Sequence, residues 1–212
     1  MIHEKMTVHK ALAELKTLDD RINSKIADSI FVRANRHNNI KIFGKAIPDF
    51  MADTESSYES VKALINRRNA MKRAVVLSNA ITKVNIGGVE YTVAEAIEMN
   101  NHGMENLVDL RNCLREQYSS VKRMVESENG DKLVKACENY IQATFGTKEK
   151  INNPDIEMAQ KVYMTNNTYD IVTGLDIEEV IKELTDRIDA FKAEVDSALS
   201  VSNALTVIEF DY

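Results

Sequence analysis

Apolar and polar positions along the chain predict long helices joined by short β-segments. Val8, Leu12, Leu15, Leu18, Ile22 and Ile26 recur at three- and four-residue steps, which predicts an amphipathic helix over residues 7–29. The rhythm breaks over 30–48. There Ile30-Phe31-Val32 and Ile40-Lys41-Ile42-Phe43 flank the polar turn 35–39 and suggest a small hairpin. Helical spacing returns from the fifties to Asn79, with Val61, Leu64, Ile65, Met71, Val75 and Val76 on one face. A third helical run starts at Val93 and extends toward Phe145. Leu107, Leu110, Leu114, Tyr118, Val121 and Val125 form its coiled-coil-like seam, and Asn129-Gly130-Asp131 is the expected break. Gly146 reads as a helix stop, and Asn153-Pro154-Asp155 as the start of a short helix to Met164. Asp176 caps the last helix, where Ile177, Ile181, Leu184, Ile188, Phe191, Val195 and Ala198 alternate steps of four and three.

Two stretches interrupt this helical rhythm and carry its most informative signals. In residues 78–97, SNAITKVNIGGVEYTVAEAI, a helix ends and a β-like segment follows. Gly87-Gly88 then reverses the chain, since tight hairpin turns need positive φ at their centre. Thr92 and Glu95 form a capping box that opens the next helix. The second stretch, Ser202-Asn203-Ala204-Leu205-Thr206, nearly repeats Ser78-Asn79-Ala80-Ile81-Thr82, and each copy runs into an alternating apolar tail. The expected architecture is mainly α. Long antiparallel helices form a coiled-coil-like bundle within a single helical domain, 1–212. At the helix ends a three-stranded sheet pairs 82–86, 89–93 and 206–210.

Composition narrows the classes. The chain has 212 residues with seven Gly and two Pro, which favours helix, and a formal charge of −6. That balance argues against nucleic-acid or anionic-membrane partners for the chain as a whole. Cys113 and Cys137 form no disulfide framework, and no apolar run is long enough to span a bilayer, so a cytoplasmic protein is expected. The four histidines are scattered, and no nucleophile motif, phosphate-cradling glycine loop or zinc spacing occurs. Neither a cofactor, a metal nor an enzymatic activity is expected.

What remains is a polar cluster at the helix ends. Ser78, Asn79, Thr82 and Lys83 accompany Ser202, Asn203 and Thr206, with Arg67, Arg68 and Lys72 upstream and Tyr91 on the hairpin. Asparagine carries donors and acceptors that can read a base or ribose edge, arginine forks bind phosphate, and Tyr91 could stack. The same Asn and Ser residues also suit plain helix capping. A second basic cluster, Arg33, Arg36, His37, Lys41 and Lys45, lies in the 30–48 segment and suits either an anionic partner or a solvated loop.

In HKALAELKTLDDRI, LINRRNAMKRAVVLSNAITKVNIGGVEYTVAEAIE and IDAFKAEVDSALSVSNALT, the chain resembles a helical family from phages of Gram-positive bacteria, with shorter septicolysin-like cellular relatives. The resemblance covers about 8–30, 56–125 and 170–208. It implies the helical fold and marks 126–168 as an insertion, and it brings no activity or site residues. Two functions are then expected to compete. One is an oligomeric phage-type sponge that sequesters a small anionic nucleotide-derived immune signal in the host cytoplasm. The other is a structural or virion-associated coiled-coil protein. Both have the chain itself as a partner.

Overall fold

A computed structural model describes residues 2–146 and 153–212. The chain is 74% helical, with small antiparallel sheets, so the mainly α expectation holds. In order it runs β1 (His3–Thr7), α1 (Val8–Asp28), β2 (Lys41–Ile42), β3 (Lys45–Ala46), α2 (Ile47–Ile81), β4 (Lys83–Ile86) and β5 (Val89–Thr92). There follow α3 (Val93–Glu98), α4 (Met104–Ser127), α5 (Leu133–Phe145), α6 (Pro154–Asn167), α7 (Ile177–Leu205) and β6 (Val207–Asp211). Two compact units result, Met1–His102 with Ala190–Tyr212, and Gly103–Asp189. No helix among the described residues is long and apolar enough to cross a membrane.

In the first unit, α1 and α2 form a helical hairpin over a two-stranded sheet. Val8, Ala11, Leu15 and Leu18 of α1 and Met71 and Val75 of α2 close a core with Met6 of β1 and Ile208 and Phe210 of β6. The exposed Leu12 and Ile26 fall off the α1 stripe, as do Ile65 and Val76 on α2. The expected third strand does not form among the described residues. The tail 207–211 pairs with His3–Thr7, not with the 82–93 hairpin, and each sheet has two strands. The pairing is antiparallel with Met6 opposite Ile208 and Glu4 opposite Phe210, so the tail's apolar face meets the α1–α2 core rather than β4.

The Gly-Gly hairpin forms as its sequence dictates. Ile86 faces Val89 in register, and Gly87 and Gly88 take φ of 58° and 77°. The 30–48 segment differs from expectation. Its hairpin lies at 41–46 around Phe43-Gly44, and Asn35 and Asn39 clasp each other through side-chain hydrogen bonds. Turn chemistry decides this, because Gly44 supplies a left-handed residue that the 35–39 turn lacks. The second helix begins at Ile47, earlier than expected, with Pro48 tolerated in its first turn.

In the second unit, α4 and the first part of α7 run antiparallel. The Tyr118 hydroxyl donates to Glu178 (2.7 Å) and Arg115 Nη2 to Thr185 (3.3 Å), and the carboxylate raises the Tyr118 phenol pKa. The long third helix is interrupted at Gly130 as expected, where φ −80° and ψ −137° leave the helical range within a π-helical turn. A further π-helical turn, Met99–Gly103, separates α3 from α4. Within the 126–168 segment, α5 and α6 pack through Cys137, Ile141 and Ile156, with Tyr140 stacked on Tyr163. Residues 147–152 of that segment lie outside the described residues. Gly146 (φ 73°) and the Asn153 side chain, accepting from the Asp155 N–H, act as the expected stop and cap.

Candidate functional site

The two SNA motifs share one backbone device. The Thr82 N–H donates to the Ser78 carbonyl and the Thr206 N–H to the Ser202 carbonyl, both at 2.9 Å, so each helix ends in an identical turn. Each threonine carbonyl then accepts the first N–H of a different helix. Val93 donates to Thr82 (2.8 Å) and Val8 to Thr206 (2.9 Å). Those two helices start alike. Thr7-Val8-His9-Lys10-Ala11-Leu12 and Thr92-Val93-Ala94-Glu95-Ala96-Ile97 share a capping threonine, a buried valine, a buried alanine and an exposed aliphatic residue. The strands match too, since Val84 and Ile86 of β4 are buried at the places held by Ile208 and Phe210 in β6. The first unit thus contains a duplicated strand–cap–helix module. The second half of its signature, T-V-x-x-A-[LI], is legible in the sequence at 7–12 and 92–97.

Capping explains why these starts are fixed. Thr92 Oγ1 accepts from the Glu95 N–H (3.1 Å) while Glu95 Oε2 accepts from the Thr92 N–H (2.7 Å). These bonds, the backbone N–H first, hold the Glu95 carboxyl below the usual range. Thr7 caps α1 through the Lys10 N–H alone. Thr92→Ala should therefore destabilise the first unit by about 1 kcal/mol, more than Thr7→Ala, as read by urea unfolding.

The duplication creates a groove of about 670 Å³ between β4 and the last four turns of α7. Thr82, Lys83, Val84 and Asn85 form one wall. The other is the α7 face from Ala193 and Glu194 through Ser197, Ala198 and Val201 to Ser202 and Leu205, with Thr206 at the end. Gly87 anchors α7 alongside. Its N–H donates to Glu194 Oε2 (2.7 Å), and a Cβ there would lie 3.1 Å from that of Ala190. Phe191 fixes the same helix edge-on against Tyr91, with ring centroids 5.7 Å apart.

Of the residues singled out from the sequence, Thr82, Lys83, Ser202 and Thr206 line this groove. Ser78 is buried beneath it, its hydroxyl 3.4 Å from that of Thr82. Asn79 and Asn203 are half-buried and do not line the groove, and Tyr91 is committed to Phe191. Lys72 is exposed and also lies off the groove.

The arginines are engaged elsewhere. Arg67 grips Glu4 through Nε and Nη2, both at 2.7 Å, and Glu14 through Nη2 at 2.6 Å. The Tyr212 hydroxyl donates to Glu4 (2.8 Å), and its ring lies 6.0 Å from the Arg67 guanidinium. The Glu4 pKa is lowered, first by its bond to Arg67, and the Arg67 pKa is raised by the same bond. Arg68 pairs with Asp19 (2.9 Å). These cations hold α2 to α1 and β1. Lys83 pairs with Glu90 (2.6 Å) in solvent, where such a pair is weak and exchanges readily.

The groove's chemistry is therefore hydroxyl, amide and apolar, with one exchangeable ammonium and the Glu194 carboxylate, which is held by the Gly87 N–H. Asn85, Ser197 and the α7 aliphatics were not singled out from the sequence. Only the packing of α7 on β4 reveals them. Among the described residues no group of three or more His, Cys, Asp or Glu could hold a metal ion. The fold and groove define a class: a helical-hairpin protein with strand-capped helix ends and an open groove of mixed polar and apolar lining. Comparison with protein-family models, curated proteins and solved structures returns no match to this chain.

Proposed function

We propose that this chain is a non-enzymatic, phage-type oligomeric protein that sequesters a small nucleotide-derived signal in the β4–α7 groove. The supporting observation is the convergence of two separate helix-end motifs on one groove of small-molecule size, lined by Thr82, Asn85, Ser202 and Thr206 with Lys83 at its edge. Hydroxyls and an amide suit a ribose and a base edge. Lys83, released from Glu90, supplies charge for a phosphate. The arginines are not part of this reading, because they are bound to carboxylates.

Native mass spectrometry after incubation with infected-cell metabolite extract tests it. The expected result is a nucleotide-derived adduct on the parent that is absent from Ala198→Trp, whose indole fills the groove. Thr82→Val and Ser202→Ala should each weaken binding about three- to tenfold at unchanged melting temperature. No adduct on the parent would remove the sponge reading.

A second reading has its own observation. Ile81 and Leu205, equivalent positions of the two motifs, are 78% and 76% exposed, and Leu77, Val201 and Val207 are exposed as well. Aliphatic surface of that kind favours contact with further copies, as a structural coiled-coil-like bundle requires. A ligand-free parent that assembles in light scattering would support this reading instead.

A further inference from the structure

The 30–46 segment, which joins α1 to α2, combines two features that a solvated loop has no reason to combine. It carries Arg33, Arg36, Lys41 and Lys45 and no acidic residue. It also leaves Val32, Ile40 and Phe43 exposed by 84%, 75% and 63%, with Ile30 and Phe31 exposed beside them. Lys45 is bound to Asp53, whereas Arg33, Arg36 and Lys41 have no ion-pair partner among the described residues. The Arg33 guanidinium lies 5.2 Å from the Phe43 ring centroid, so charge and apolar surface share one patch.

Phe43 itself departs from what its turn calls for. It is the first of two left-handed residues in a two-residue hairpin turn, with φ of 49° followed by 80° at Gly44. Such turns favour Asn-Gly, because asparagine tolerates this conformation and phenylalanine does not. The chain thus holds an aromatic ring at an outer turn against the local backbone preference. Neither packing in the core nor turn stability accounts for that placement.

We propose that this tip is a peripheral docking surface for an anionic lipid bilayer. The arginines and lysine lie at the headgroups, and Phe43, Val32 and Ile40 enter the interface, as amphipathic basic segments do. The chain's charge of −6 does not oppose this. Screening acts over about 8 Å at physiological salt, and the 21 residues of α1 place the tip about 30 Å from the β1–β6 sheet. The carboxylates flanking the tip in sequence are Asp28, Asp49 and Asp53, and Lys45 neutralises the last. Apolar surface separates a membrane from a purely ionic partner, since an acidic polypeptide would need the cations but not Phe43.

Vesicle flotation of the full chain tests the proposal, with phosphatidylcholine vesicles alone and with phosphatidylserine added. The parent should float with the phosphatidylserine vesicles at low salt, and with neither at high salt nor with phosphatidylcholine alone. The triple change Arg33→Gln, Arg36→Gln, Lys41→Gln should weaken partitioning about 100-fold. Phe43→Asn suits the turn better, so it should fold at least as well as the parent while losing about tenfold in partitioning. The proposal is overturned if the parent does not float with phosphatidylserine, or if Phe43→Asn floats like the parent. It is equally overturned if the parent fails to float and Phe43→Asn reduces assembly size in light scattering, which would make the tip a contact between copies.

Discussion

Arg67→Met should lower the stability of the first unit by about 3 kcal/mol, a drop of about 6–12 °C in melting temperature for a chain of this size. The guanidinium is 17% exposed and is the shared partner of Glu4 and Glu14, which are themselves mostly covered. Methionine preserves the aliphatic packing but leaves two carboxylates in a poorly hydrated site, with the exposed Lys10 ammonium, 4.0 Å from Glu14, as the remaining cation. A partly buried charge left alone costs more than the pair contributed. Arg68→Met is the internal control. Its partner Asp19 is half in solvent, so the loss should be below 1 kcal/mol.

The same cluster sets a pH dependence whose sign follows from Glu4. Its folded pKa lies below the unfolded value, chiefly through the bond to Arg67. It therefore contributes stability that is present above the unfolded carboxylate's titration, near pH 4.3, and is lost as pH falls through the depressed folded value. Parent and Glu4→Gln should differ by about 2 kcal/mol at neutral pH and converge in acid. Urea unfolding at a series of pH values reads the difference directly. A gap that stays constant down to acid would contradict the ion-pair account.

Removal of residues 207–212 should unfold the first unit. Ile208 and Phe210 are buried in the α1–α2 core, and burying such side chains contributes roughly 1.5–3 kcal/mol each before the cavity they leave is counted. β1 would also lose its partner strand, and Glu4 the Tyr212 hydroxyl. The sum approaches the whole stability of an ordinary domain. Circular dichroism and amide exchange should show α1 unprotected in the truncated chain. A truncated chain that melts like the parent would mean that the β1–β6 pairing carries no weight.

Long-range partners are what the sequence left hidden. The Gly87-Gly88 turn, the Thr92–Glu95 capping box, the Gly130 break and the Gly146 stop are local devices, and each was legible from a few adjacent residues. β1 was not. HEKMT offers one apolar inward residue and becomes a strand because VIEFD, at the far end of the sequence, supplies the other half of the ladder, with Met6 opposite Ile208. Arg67 illustrates the same limit at the site. Its charge and its place before the SNA turn were visible, but Glu4, 63 residues distant, decides that the charge is already matched. The repeated SNA[IL]T motif does not share a sheet as its tails suggested, yet Thr82 of one copy and Ser202, Leu205 and Thr206 of the other line one groove. Its two turns meet the same groove, while Asn85 and Ser197 became visible only once α7 lay against β4.

The most direct measurement of the central claim is a crystal structure of the chain grown with ADP-ribose. The account predicts density in the β4–α7 groove, with ribose hydroxyls within hydrogen-bond distance of Thr82, Ser202 or Thr206 and Lys83 turned from Glu90 toward a phosphate. A ligand seated away from that groove, or a groove left empty while Lys83 stays on Glu90 at saturating ADP-ribose, would contradict it.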